Sequence, residues 1–187
     1  LPELIKYLKS LEATKSIFLV TNGQEPDMIQ KLQDEDALPT QLYLSTNAAD
    51  YESFIKINKP KYDDSWERWN QTLDMLKNLD TRTVLRITLI RNYNDQKEMI
   101  PAFADMFRKA SPHFIEIKSY MHIGRSTNRL EHENMLEMHE VKKFSEQIAK
   151  QSKIFSIMDE SLVSRISILQ NNERFIDRWI PTYANTN

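Results

Sequence analysis

Within the run EIKSYMHIGRSTNRL, residues 116–130, a carboxylate, an amine and a phenol recur at every second position: Glu116, Lys118 and Tyr120. Side chains alternate along a strand, so these three share one face and Ile115 and Ile117 take the other. An amine near the end of such a strand, desolvated and close to another cation, becomes a nucleophile toward a keto acid. Kept charged, it binds a carboxylate as a simple cation. Lys118 is read chiefly as the cation, and an ion pair with a neighbouring carboxylate such as Glu116 is the plain structural alternative.

Two further groups of residues carry chemistry. In the run TVLRITLI, Arg86 and Thr88 share a face with Val84 and Ile90. An inward arginine there requires an anion, and Glu116 on the next strand is the nearest candidate, as a structural ion pair or as part of a site. After residue 120 comes a loop holding His122, Gly124, Arg125, Ser126, Asn128 and Arg129. Two arginines among small polar residues suit an RNA phosphate or a splayed base, although a solvated basic loop has the same composition. His132 and His139 lie seven apart, whereas ligand pairs on a helix sit three or four apart, so no metal site is assigned.

The whole chain bounds these readings. It has 187 residues, 40% apolar and 28% charged, which suits one globular domain with a real core. Net charge is -2, so contact with nucleic acid needs a local basic patch. No cysteine occurs, which removes thiolate metal ligands and a cysteine nucleophile from this chain. Only Gly23 and Gly124 occur, so Walker-type and dinucleotide loops are absent. No apolar run approaches the length of a membrane span, and a cytoplasmic monomer is expected.

Short β-branched or aromatic runs predict strands at 16–22, 41–46, 83–90, 114–120, 154–158 and 165–169. Amphipathic helices are expected over 2–11, from Pro26, over 48–57, from Asp64 or Ser65 to Leu79, over 97–108 and over 133–152. Helix and strand alternate, which argues for a parallel α/β sheet with crossover helices. Four strands end in polar residues on one side, so the expected architecture is a partial (β/α) barrel with its site at the C-terminal rim. A first helix and only six strands leave it about two strands short. One domain is expected over 1–187, with a short tail from about residue 171 that ends in a helix before Pro181.

The segments FLVTNG (18–23), LPTQLYLSTNAAD (38–50), WERWNQTLDMLKNLDTRTVLRITLIR (66–91), FIEIKSYMHIGRSTNRL (114–130) and DESLVSR (159–165) follow one another in order. Together they resemble the radical S-adenosylmethionine enzymes of wybutosine tRNA synthesis, the 4-demethylwyosine synthases, most closely the archaeal type. The resemblance covers roughly residues 1–170. It implies a radical SAM-type barrel with a [4Fe-4S] cluster and S-adenosylmethionine. It also implies a carbon–carbon lyase-type reaction joining two carbons of pyruvate to 1-methylguanosine in phenylalanine tRNA, started by a 5′-deoxyadenosyl radical.

The family's C-x-x-x-C-x-x-C loop and Gly-Gly-Glu segment are missing, and both would fall before Leu1. The chain is therefore expected to be a fragment lacking the first two strands, inactive alone. By the same resemblance Thr21 and Asn22, beside Gly23, approach the cofactor. Ser45 and Asn47 would meet its ribose, although relatives carry an acidic residue near Asn47, and Thr88 belongs to the same side. Lys118, Glu116 and Arg86 form the expected catalytic group. Tyr120, His122, Arg125, Ser126, Arg129, Glu160 and Arg165 form the substrate and tRNA side.

For several of these the residue types allow a local explanation. Asn22 and Gly23 suit a turn, Asn47 suits a helix N-cap, and Glu160 suits a pair with Arg165. Without the resemblance, the residues also suit a class I aldolase-like barrel with a Schiff base at Lys118, or a remnant barrel that only binds RNA.

Overall fold

A computed structural model describes residues 1–180. Six strands form one sheet: β1 (Phe18–Thr21), β2 (Gln41–Ser45), β3 (Arg82–Leu89), β4 (Phe114–Ser119), β5 (Phe155–Ser161) and β6 (Ile166–Asn171). Their order across the sheet is β1-β2-β3-β4-β6-β5. The first four are parallel; α1 (Pro2–Ser10) precedes β1, the strands are joined through α2 (Pro26–Asp34), α3 (Tyr51–Asn58) with α4 (Ser65–Met75), and α5 (Ile100–Ala110) in chain order, and α6 (Met138–Ser152) follows β4.

The two sheet faces differ as the strand alternation requires. Leu42, Leu44, Leu85, Ile87, Leu89, Ile115, Ile117 and Leu169 are all fully buried on one face, in one cluster with helix residues such as Leu32, Trp69, Phe103, Phe107 and Phe144. Each such side chain stabilises the fold by roughly 1.5–3 kcal/mol. Among the described residues no helix covers the upper part of the other face, which carries Ser45, Arg86, Glu116, Thr88 and Lys118. β1 is a sheet edge, with Phe18 and Val20 50% and 43% exposed.

The end of the sheet corrects the expectation of a wholly parallel order. β6 runs antiparallel to both β4 and β5. Only four residues, 162–165, separate β5 from β6, and a parallel return needs a dozen or more. β5 also runs past Met158 to Ser161 through a bulge between Ile157 and Asp159.

Several helix boundaries move. The third helix starts at Tyr51, capped by Asp50, whose Oδ1 accepts the Ser53 N–H at 2.9 Å, so Asn47 is not the N-cap. The last helix starts at Met138, with Glu133 upstream in a short 3₁₀ turn. Residues 172–180 are not helical. They cross the lower part of the open face, where Arg82 donates to the carbonyls of Asp177, Arg178 and Trp179. Pro181 lies outside the described residues.

Candidate functional site

Strand register builds the site in rows on the open face. Ser45, Arg86, Glu116 and Ile168 form one row, and Thr88, Lys118 and Ile166 the next, toward the C-terminal ends of β1–β4. Arg86 Nε donates to Glu116 Oε1 at 2.8 Å, so the cross-strand ion pair is formed. The guanidinium also stacks on Tyr43, 4.7 Å from its ring centroid, with Phe18 at 5.9 Å. Its terminal nitrogens make no hydrogen bond among the described residues. The planar fork that matches a carboxylate is therefore free.

Lys118 is half-buried and has no hydrogen bond or ion pair among the described residues, so Glu116 is not its partner. Tyr43, one row below Arg86, was not singled out from the sequence. Burial first, then the Glu116 carboxylate, push its phenol up to about 12, so it stays protonated. The alternation Gln41, Tyr43, Ser45 is the signal that placed it on this face.

The rim is fixed by amides. Asn94 is fully buried; its Nδ2 donates to the carbonyls of Asn47 and Thr88, and its Oδ1 accepts the Ile90 N–H. Asn47 Oδ1 accepts the Thr88 N–H at 3.0 Å, which ties β2's end to β3. The Ser45 and Thr88 hydroxyls make no bond among the described residues. Asn22 lines a cleft of about 590 Å³ with Gln24, Ser45, Asn47, Asn58 and Lys59. Thr21 instead pairs in register with Leu44 on the helix-covered face, and its Oγ1 accepts the Gly23 N–H in a local turn.

Other expected residues sit away from the open face. β4 ends at Ser119, so Tyr120 turns under the loop, packs with Ile90 and Leu130, and meets His122 Nδ1 at 3.1 Å. Ser126 Oγ donates to the Ile123 carbonyl within its own turn. Arg125 and Arg129 are exposed and unpaired among the described residues. Gly124 has φ +62 with open space where a Cβ would stand, so it serves the turn rather than a close approach within the chain. Glu160 pairs with Lys142 of α6 at 3.1 Å, and Arg165 with Glu137 at 3.1 Å and the Leu136 carbonyl. The alternative Glu160–Arg165 pair is not formed, because Glu160 pairs with Ser167, on the face that α6 covers.

Comparison with known proteins joins this geometry to a family. A family model described as wyosine base formation matches residues 109–171, which contain β4, the basic loop, α6 and the closing hairpin. The tRNA 4-demethylwyosine synthase of Methanocaldococcus jannaschii is 41% identical over 179 residues, 95% of this chain and 53% of that protein. The chain belongs to the tRNA 4-demethylwyosine synthase family. The Pyrococcus abyssi synthase is 37% identical over 156 residues, 83% of this chain and 45% of that one. A solved structure of TYW1 with a lysine-pyruvate adduct bound superposes with a TM-score of 0.74 at 40% identity, covering 85% of this chain and 48% of that one. The chain thus spans about half the length of these archaeal synthases. The six-stranded sheet with one open face is consistent with part of a radical SAM-type barrel. No helix among the described residues is long and apolar enough to cross a membrane.

Proposed function

We propose that this chain forms the keto-acid and RNA side of a radical SAM-type enzyme making 4-demethylwyosine from 1-methylguanosine in phenylalanine tRNA and pyruvate. One observation carries the reading: the unpartnered Lys118 amine stands one row above the free guanidinium fork of Arg86, on an open face at the strand ends. Two such cations suit a small carboxylate. Lys118 holds the carboxylate of pyruvate as a point charge. Glu116 keeps the Arg86 plane fixed, and Arg86 binds a second carboxylate or orients the first. Arg125 and Arg129 contact RNA phosphates, with His122 and Tyr120 supporting their loop.

The donor set decides which cofactors this chain can hold. A [4Fe-4S] cluster needs thiolates, and none of the 187 residues is cysteine, so its ligands are not among them. S-adenosylmethionine fits better. The unbonded Ser45 and Thr88 hydroxyls and Asn22 would hold it, while Thr21 and Asn47 shape the turn and the rim. When bound with its cluster, it supplies a 5′-deoxyadenosyl radical for hydrogen abstraction.

Steady-state kinetics and trapping in the full-length enzyme test the assignment. Lys118→Gln should raise the KM for pyruvate by about tenfold or more with kcat little changed, since a lost point charge weakens ground and transition states alike. Borohydride should not trap pyruvate at Lys118. An adduct there would instead support the aldolase-like covalent role, and an unchanged KM would remove Lys118 from the site.

A further inference from the structure

Away from one end of the rim, ten of the twenty lysines and arginines pair with a carboxylate, Lys6–Glu35, Lys109–Asp74 and Lys142–Glu160 among them. At that end none of five does. Lys56, Lys59 and Lys61, at the end of α3 and in its connection to α4, have no carboxylate partner among the described residues, and neither do Arg125 and Arg129. In a chain of net charge -2, five unneutralised cations on two neighbouring segments make a local positive field.

The two segments meet. Lys56, Lys59 and Arg129 line one small cleft of about 80 Å³ with Ile90, Tyr93 and Leu130. Lys56 Nζ stands 5.1 Å from the centre of the Tyr93 ring. Lys59, left-handed at φ 47 and ψ 59, ends α3 and also lines the larger cleft of about 590 Å³, together with Lys61.

We propose that the α3–α4 connection is a second RNA-binding element. Lys56 and Arg129 hold one phosphate at the small cleft. Lys59 and Lys61 hold the adjacent one. The inference rests on the reading that tRNA is the substrate, and extends it to residues on a different loop from Arg125 and Arg129.

The experiment measures binding of the full-length protein to an anticodon stem-loop of phenylalanine tRNA across a salt series. Wild type is compared with Lys56→Gln/Lys59→Gln/Lys61→Gln and with Lys77→Gln/Lys150→Gln. The last two lysines are also exposed and unpaired, but they lie toward the N-terminal ends of the strands. The triple variant should weaken binding by about tenfold or more at low salt and lower the log–log salt slope by about 1.4, at roughly 0.7 for each of two single-strand phosphate contacts. The control pair should leave the slope unchanged. A triple variant that binds as wild type does, with an unchanged salt slope, overturns the inference while leaving tRNA as substrate. A wild-type protein that does not bind the stem-loop overturns both.

Discussion

Arg86 and Glu116 are direct cross-strand partners on β3 and β4, joined from Nε to Oε1 at 2.8 Å, with the carboxylate more deeply buried than the guanidinium. Breaking such a pair from one side leaves a partly buried charge without its counter-ion, whereas replacing both ends removes the charge and its desolvation together. Glu116→Ala should therefore destabilise the fold by about 1–3 kcal/mol, and Arg86→Met/Glu116→Met should recover most of that loss. Urea unfolding of the single and double variants measures this. Equal losses in both would mean that packing, not the uncompensated charge, sets the stability at this position.

Gly23 tests the turn that delivers Asn22 and Gln24 to the larger cleft. Its φ is +75, and a Cβ there would stand 2.7 Å from Leu44 Cδ1 and 3.1 Å from Trp69 Cδ1. Both neighbours are buried, so neither yields easily. Gly23→Ala combines left-handed strain with overpacking and should cost about 2–4 kcal/mol. Gly124→Ala meets only the strain, because nothing stands within 4 Å, and should cost about 1 kcal/mol. Thermal or urea unfolding separates the two. Similar losses would remove the clash from the account.

Asn94 is the rim's keystone in hydrogen bonds: one fully buried amide serves the backbone of three residues, Asn47, Thr88 and Ile90. Asn94→Ala should destabilise by about 2–4 kcal/mol, since buried carbonyls and an N–H lose their partner with no water to replace it. Asn94→Asp keeps the acceptor but sets a carboxylate against two carbonyls, so it should be worse at neutral pH than in acid. Faster amide hydrogen exchange at Ile90, whose N–H donates to Asn94 Oδ1, would locate the effect in Asn94→Ala, and unchanged exchange there would contradict it.

The four parallel strands were legible because β-branched and aromatic runs stand clear between polar turns. The same alternation put Arg86, Glu116 and Lys118 on one face. What was not legible has specific causes. Extending the helix–strand rhythm hid the β5–β6 hairpin, although the expected strands 154–158 and 165–169 stood only six residues apart. Tyr120 was read one residue past the strand that would have pointed it outward. Tyr43 resembled an ordinary core aromatic until Arg86 and Glu116, 43 and 73 residues later, came to lie against it. Lys56, Lys59 and Lys61 resembled a solvated helix end, and only the fold brings Arg129 beside them. The Arg82 contacts lie 95–97 residues away, a separation no local pattern encodes.

His113, just before β4, accepts the Thr83 N–H at Nδ1, 3.1 Å away, and therefore folds in its neutral form. Burial, and then the Arg174 and Arg82 guanidinium groups, push its pKa from 6.5 to about 4. Between those values the unfolded chain binds a proton that the folded chain excludes. Stability should thus rise with pH across this window, and be lost as pH falls from about 6.5 toward 4. The full linkage slope is about 1.4 kcal/mol per pH unit, and a half-exposed ring should show less. Carboxylates also titrate at the lower end, so the informative quantity is the difference in unfolding free energy between wild type and His113→Asn. The asparagine can offer an acceptor to Thr83 without titrating. That difference should move in favour of the variant as the pH drops through the window. A difference independent of pH from 6.5 to 4.5 would place the imidazole in ordinary contact with solvent and leave Thr83 to be held by the backbone alone.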